Sequence, residues 1–263
     1  MYHRFKWTGS SRRRNGLTME YEPLQPYFLL ASIVAAKCKT FADVGSNIGA
    51  YSVLMSQAPS LEKIVAFEAN RSAADEMRAN ILLNSLDIDV RNVAVSDKNG
   101  SLDFGVVSRL AGNSAIVDTS ENQAFHHVEQ AKCVTLDDAL GACSGPFAIK
   151  IDVEGHEENV LRGARDLLKN PCVVQVENYR ENLEFPQGYL KVARIGPDWY
   201  YSNIDKHKLR AQDLFEHASA MMIESNHERK SAAIHAGDFA LSVSGRSYEM
   251  IKRVALRIFG SRL

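Results

Sequence analysis

Two short stretches hold most of the side chains that could do chemistry. The first, Asp43-Val44-Gly45-Ser46-Asn47-Ile48-Gly49, puts an acidic residue and two glycines directly after the apolar run from Thr40 to Val44. Glycines in a strand-to-helix turn let a ligand approach the backbone, and the helix that follows begins with unpaired N–H groups. The spacing is not the G-x-G-x-x-G that receives a dinucleotide pyrophosphate, and Asp43 would repel one. The turn therefore suits a ligand with positive charge and an amino group. Glu68 ends the next apolar run, where a carboxylate can accept from both hydroxyls of a ribose. The second stretch, Asp152-Val153-Glu154-Gly155-His156-Glu157, follows Phe147 to Ile151 and brings carboxylates and an imidazole to another strand tip. A histidine titrating near ~6.5 can take an acceptor's proton, so His156 is the leading general base, with Asp152 next and Glu154 beside them.

Each feature also has a plainer reading. Asp43 can cap the helix near Ala50, and Glu68 can be a surface carboxylate. Glu157 and Glu158 suit the positive end of a helix dipole, Gly155 suits a tight turn, and His156 can simply cap or pack. Asp152 with Glu177 and Asn178 at the next strand end could converge on a hard cation such as magnesium, or could equally hold acceptor hydroxyls.

These tips need a scaffold, and the pattern supplies an alternating one. Thr40–Val44, Ile64–Phe67 and Ile88–Val95 read as strands, with helices over 50–57 and 73–84 between them, which is the signature of βαβ units and a parallel sheet. A helix is expected at about 24–37. Residues 96–146 break the rhythm, with Asn99-Gly100 and Gly112-Asn113 suggesting hairpins or an irregular excursion, and Gly105–Gln130, carrying Asn113, Ser114, His126 and His127, reads as a lid over the crevice. Phe147–Ile151 returns as a buried strand. One helix after it is expected to align Val160, Leu161, Ala164, Leu167 and Leu168, and Cys172–Val176 follows as a strand. Leu190–Ile195 and Trp199–Tyr201 read as an antiparallel hairpin, which completes a mixed seven-stranded sheet, and Leu214 to Met222 form a helical stripe. The chain divides into a basic arm and N-terminal helix (1–39), a core (40–204) and a C-terminal helical extension (205–263).

With 263 residues, 45% of them hydrophobic and 24% charged, the chain can bury a full core, and one α/β domain with additions accommodates it. A net charge of −1 gives no global field for a phosphate backbone, so a general nucleic-acid binder is not expected. Cys38, Cys133, Cys143 and Cys172 lack CxxC or zinc-ligand spacing, and the first residues lack the apolar core of a signal peptide. The expectation is a cytoplasmic protein with reduced cysteines and no transmembrane segment. Ser247–Phe259 has apolar residues along one side and Lys252, Arg253 and Arg257 elsewhere, which suits peripheral membrane contact, intramolecular packing or a homo-oligomer interface.

Five blocks in order, Phe41–Ser52, Phe67-Glu68-Ala69-Asn70, Asn92–Asp97, Val134–Asp138 and Ile149–Glu157, resemble the FkbM family of S-adenosylmethionine-dependent methyltransferases over roughly residues 40–180. The resemblance implies a class I methyltransferase fold, Rossmann-like and doubly wound. It implies Asp43, Gly45, Ser46, Asn47 and Gly49 around the methionine end of S-adenosylmethionine, Glu68 on its ribose and Asp97 flanking its adenine. Asp152 would stand at the strand tip beside the reactive carbon. Where the family often has an aromatic residue this chain has His156. The implied activity is O-methylation of a sugar, glycan or small polar metabolite. The alternatives are a catalytically silent cofactor-binding or scaffold module of the same fold, or an N-methyltransferase. A nicotinamide oxidoreductase is disfavoured by Asp43, and the Asn/Asp-Pro-Pro-aromatic run of base and amide N-methyltransferases is absent at Asp152.

Overall fold

The structure is a computed structural model, and it describes residues 5–8, 22–106, 114–116, 127–178 and 183–236. Helix α1 (Gln25–Ala36) precedes strand β1 (Thr40–Val44), then come α2 (Ala50–Met55), β2 (Lys63–Phe67), α3 (Arg71–Leu83) and β3 (Asp89–Arg91). After an excursion the chain continues with β8 (Phe147–Ile151), α5 (Glu157–Arg162), β9 (Cys172–Glu177), the hairpin β10 (Leu190–Ile195) and β11 (Asp198–Ser202), and helix α6 (Ala211–Ala236). These strands form a seven-stranded sheet in the order β10-β11-β9-β8-β1-β2-β3. β9, β8, β1, β2 and β3 pair in parallel, and β11 runs against them, antiparallel to both β9 and β10, which gives the mixed sheet with an antiparallel last hairpin that the sequence led us to expect.

Period-two alternation decides what each strand offers to each side. On β1, Ala42 and Val44 join the core beneath α5 with Ile149, Ile151, Val174 and Val176. Phe41 points the other way, into a core with Tyr27, Phe28 and Ile33 of α1, Val53 and Leu54 of α2, and Leu214 and Ala218 of α6. The sheet is thus covered on both faces, as parallel sheets require. Phe28 of α1 contacts Phe215 of α6 with ring centroids 4.7 Å apart.

Two expected elements are divided. The strand expected over 88–95 is β3 plus a separate β4 (Ala94–Val95), because the Asn92 amide donates to the carbonyls of Glu68 (2.8 Å) and Ala69 (3.0 Å) and ends the ladder with β2. Strand β4 then opens a second sheet with β5 (Gly100–Val106), β6 (Ser114–Ile116) and β7 (His127–Val134), in the order β4-β7-β5-β6. Of the two expectations for this stretch, hairpins or an irregular excursion, the antiparallel pairing of β5 with β6 and β7 follows the first, and its described residues form a small sheet. A short helix, α4 (Leu136–Leu140), leads back to β8.

The single helix expected after Asp152 stops at Gly163, and a 3-10 turn covers Leu167–Lys169. A Cβ on Gly163 would lie 2.0 Å from the Ser96 carbonyl oxygen, so the backbones touch there. The Asp137 carboxylate accepts from the N–H groups of Asp166 and Leu167 and starts the chain again in a new direction. All five stripe residues are buried nonetheless.

The lid residues Asn113 and His126, and Ser247–Phe259, lie outside the described residues. Among those described, no helix is long and apolar enough to cross a membrane.

Candidate functional site

A cavity of about 220 Å³ opens at the carboxyl ends of β8, β1, β2 and β3, the usual position of a ligand in an open α/β sheet. Because those strands are neighbours in that order, the lining changes character across the cavity. Lys150, Asp152, Val153 and Glu154 stand at the β8 side with Glu22 and Tyr51, and Gly45, Ser46 and Asn47 form the middle. Glu68, Ala69 and Asn70 follow, and Val93, Ala94, Val95 and Phe104 make an apolar far end.

The central turn is built from backbone that only some residues tolerate. Gly45 has φ +75°, and a Cβ there would fall 1.7 Å from the Asp152 carbonyl oxygen, so the ends of β1 and β8 meet only because this residue has no side chain. Asn47 follows with φ +50°, and its N–H donates to Glu68 Oε2 (2.7 Å). The second Glu68 oxygen accepts from the Asn70 N–H (2.8 Å). This carboxylate is thus fixed at the cavity wall, and burial pushes its pKa up against the pull of those two N–H groups. Asn47 Oδ1 is a buried acceptor with no hydrogen-bond partner among the described residues, the kind of atom a ligand donor satisfies. Ser46 lines the cavity, but its hydroxyl turns away and donates to the Phe67 carbonyl (3.2 Å).

Asp43 corrects the sequence expectation. It does not line the cavity, because its place in β1 aims it at the α1–α2 face of the sheet. There Oδ2 accepts from the Ser52 N–H (3.0 Å) and hydroxyl (2.6 Å), so it caps the first turn of α2. The register sets Lys150 opposite it, with Nζ 3.9 Å from Asp43 Oδ1, 3.0 Å from Asp152 Oδ2 and 3.1 Å from the Gly45 carbonyl. Burial opposes the charge on Lys150, but Asp152, Asp43 and Glu22 outweigh it and hold the amine protonated.

At the β8 tip Asp152 and Glu154 face the cavity. Glu154 has a left-handed backbone (φ +53°), and burial, followed by Asp152 and Glu157, raises its pKa. Glu157 instead accepts from the N–H groups of Val153 (3.3 Å) and Gly155 (3.0 Å), the helix-start role.

His156 is the second correction: it is not part of the cavity wall. Nδ1 meets the Asn159 amide nitrogen at 3.2 Å, and Nε2 meets Ser96 Oγ at 3.0 Å. An amide nitrogen only donates, so Nε2 carries the proton and gives it to Ser96, whose hydroxyl donates to Asp97 Oδ1 (3.1 Å). The ring latches α5 to the segment after β4, and burial lowers its pKa, with Asp97 opposing and Arg162 assisting. Asp97, expected beside an adenine, is exposed and outside the cavity; the apolar lining of Val93, Ala94, Val95 and Phe104 occupies that end instead.

Glu177 and Asn178 do not line the cavity, and among the described residues no group of three or more His, Cys, Asp or Glu could hold a metal ion. Sequence reasoning missed Glu22, Tyr51, Lys150 and Phe104. Lys150 had a legible signal, since a charge inside a buried apolar strand must find partners on its own face.

A model of the methyltransferase FkbM domain matches residues 43–224. The chain is 30% identical over 115 residues to the methyltransferase sdnD of Sordaria araneosa, covering 43% of this chain and 42% of that protein. It is 27% identical over 135 residues to the hexuronic acid methyltransferase AglP of Haloferax volcanii, covering 51% and 54%. The chain thus spans about half the length of the curated relatives it matches. Among solved structures, an O-methyltransferase from Bacillus cereus in complex with SAH aligns with a TM-score of 0.45 at 13% identity, covering 75% of this chain and 91% of that one. A methyltransferase from Geobacter sulfurreducens aligns with a TM-score of 0.45 at 10% identity, covering 75% and 90%.

Proposed function

We propose that this chain, which belongs to the methyltransferase FkbM domain family, is an S-adenosylmethionine-dependent O-methyltransferase whose acceptor is a hydroxyl of a sugar, a glycan or a small polar metabolite. The observation that carries the reading is the single hollow shared by Gly45, Asn47, Glu68, Asp152 and Glu154 at the strand tips.

The donor fits these residues. Glu68 is fixed to accept from a ribose diol, the apolar lining by Phe104 and Val95 suits a planar base, and Gly45 with Asn47 leaves room for the amino-acid end. When bound, the donor supplies a methyl group on a sulfonium. Asp152 and Glu154 line the same cavity, which supports a role in holding an acceptor hydroxyl and taking its proton, since transfer is an in-line displacement that rewards alignment. Lys150 holds Asp152 in place by their ion pair. Similarity to a protein named as a hexuronic acid methyltransferase supports a sugar acceptor.

The test is transfer of isotope-labelled methyl to a panel of neutral glycosides, amino sugars, uronic acids and nucleotide sugars, with the product site read by NMR. A new O-methyl resonance is expected. An N-methyl product would make the chain an N-methyltransferase, and donor binding without any transfer would favour the silent module.

A further inference from the structure

Glu22 lies outside residues 43–224, yet it lines the cavity beside Tyr51, Lys150 and Asp152. Its carboxylate is pinned: the Tyr51 hydroxyl donates to Oε2 at 2.6 Å. Tyr51 in turn accepts from Gln175 Nε2 (3.1 Å), which also donates to Asp198 Oδ1 (2.8 Å). This chain runs through the sheet interior, with Gln175 fully buried and Asp198 4% exposed. A tyrosine ring held at its hydroxyl by a buried amide cannot swing, so the carboxylate it holds keeps its position.

Among the described residues that line the cavity, the charge around that carboxylate is unbalanced. Lys150 bonds Asp152 and the Gly45 carbonyl and lies 3.9 Å from Asp43, and its attraction for Glu22 is weaker than for either of those carboxylates, while Glu22, Asp152 and Glu154 all line the cavity. A partly buried cluster of carboxylates with one committed cation attracts a further positive charge. The methyl donor carries such a charge on its sulfonium; the thioether left after transfer does not.

We propose that Glu22 is a selectivity residue that distinguishes the charged methyl donor from its neutral thioether product, with Tyr51 as its positioning residue. The inference rests on the methyl-donor reading above. It gives the reaction a direction in binding, because the attraction exists before transfer and is gone after it.

Calorimetric titration of the full chain with S-adenosylmethionine and, separately, with S-adenosylhomocysteine tests it without an acceptor. Glu22→Gln is expected to weaken S-adenosylmethionine by about tenfold or more while changing S-adenosylhomocysteine less than about threefold. Equal weakening of both ligands would mean that Glu22 contacts the amino-acid or nucleoside part they share, and the proposal would fall; so would no change in either. Tyr51→Phe keeps the charge but frees it, and a threefold or larger drop in the ratio of the two affinities is expected, with an unchanged ratio counting against the proposal. If the unaltered chain bound neither ligand, the methyl-donor reading itself would be overturned, and the inference with it.

Discussion

At the residue scale, the same side-chain types divide into groups that face the cavity and groups that brace it. His156 shows the division most clearly: a histidine at the right spacing for a base has both ring nitrogens engaged in a latch between α5 and the segment after β4. His156→Asn is therefore expected to lower the melting temperature by the loss of a hydrogen bond or two, about 1 kcal/mol each, and to change turnover less than about threefold. Asp152→Asn is expected to cost about a hundredfold in turnover, the usual worth of a positioned proton acceptor. Steady-state kinetics with the best acceptor of the panel compares the two, and the reverse ranking would return the base role to His156. Asp198 makes a pH prediction. Burial, with Glu22 adding and the Gln175 hydrogen bond opposing, pushes its pKa up from 3.8 to about 7. An acid held protonated more firmly when folded contributes its full stability below pH ~4 and loses it progressively up to pH ~7, at most roughly 4 kcal/mol. Asp198→Asn should flatten that loss, so its melting temperature relative to the unaltered chain is expected to be higher at pH 8 than at pH 5. A difference that does not change with pH would remove Asp198 as the titrating group.

At the element scale, the strand tips were legible and the ends of elements were not. The apolar runs at 40–44, 63–67, 147–151 and 172–177 are set by local composition, so their order and the turns after them follow from the chain alone. The division of 88–95 depends on Asn92 reaching the carbonyls of Glu68 and Ala69, and the stop at Gly163 on contact with Ser96. Both partners are distant in sequence, and no local pattern announces them. The two turn glycines differ for the same reason. Gly45→Ala would set its Cβ 1.7 Å from the Asp152 carbonyl oxygen at φ +75°, where backbone must part, and a loss of about 3 kcal/mol or more is expected together with loss of donor binding. Gly49→Ala meets Cγ of the fully buried Met77 at 2.7 Å, a side chain that must shift, so overpacking adds to the left-handed backbone strain and a loss of about 2 kcal/mol is expected, still below that at Gly45, where the obstacle is backbone. Urea denaturation midpoints rank them, and an equal loss for both would show that the β1–β8 contact yields more easily than this geometry implies.

At the scale of the whole molecule, the division into 1–39, 40–204 and 205–263 stands as a proposal about order along the chain, because α1 and α6 share one core with the sheet. Phe28, Leu29 and Ile33 of α1 and Leu214, Ala218 and Met222 of α6 are buried together with Phe41, Val53 and Tyr200. A fragment of residues 40–204 would expose that face, and it is expected to aggregate or bind a hydrophobic dye where the full chain does not, as light scattering and fluorescence would report. A monomeric, cooperatively melting fragment would show instead that the flanking helices are dispensable. Hydrophobic period and glycine turns are local properties, so the fold class and the strand tips that meet at the site could be read along the chain, and the five motif blocks carried the resemblance to the family. Which carboxylates reach the hollow depends on contacts between distant parts of the chain. A strand's alternation aims Asp43 into the α2 face, the register sets Lys150 against it, and Glu22, far earlier in the chain, arrives beside Asp152 through packing that no local pattern encodes.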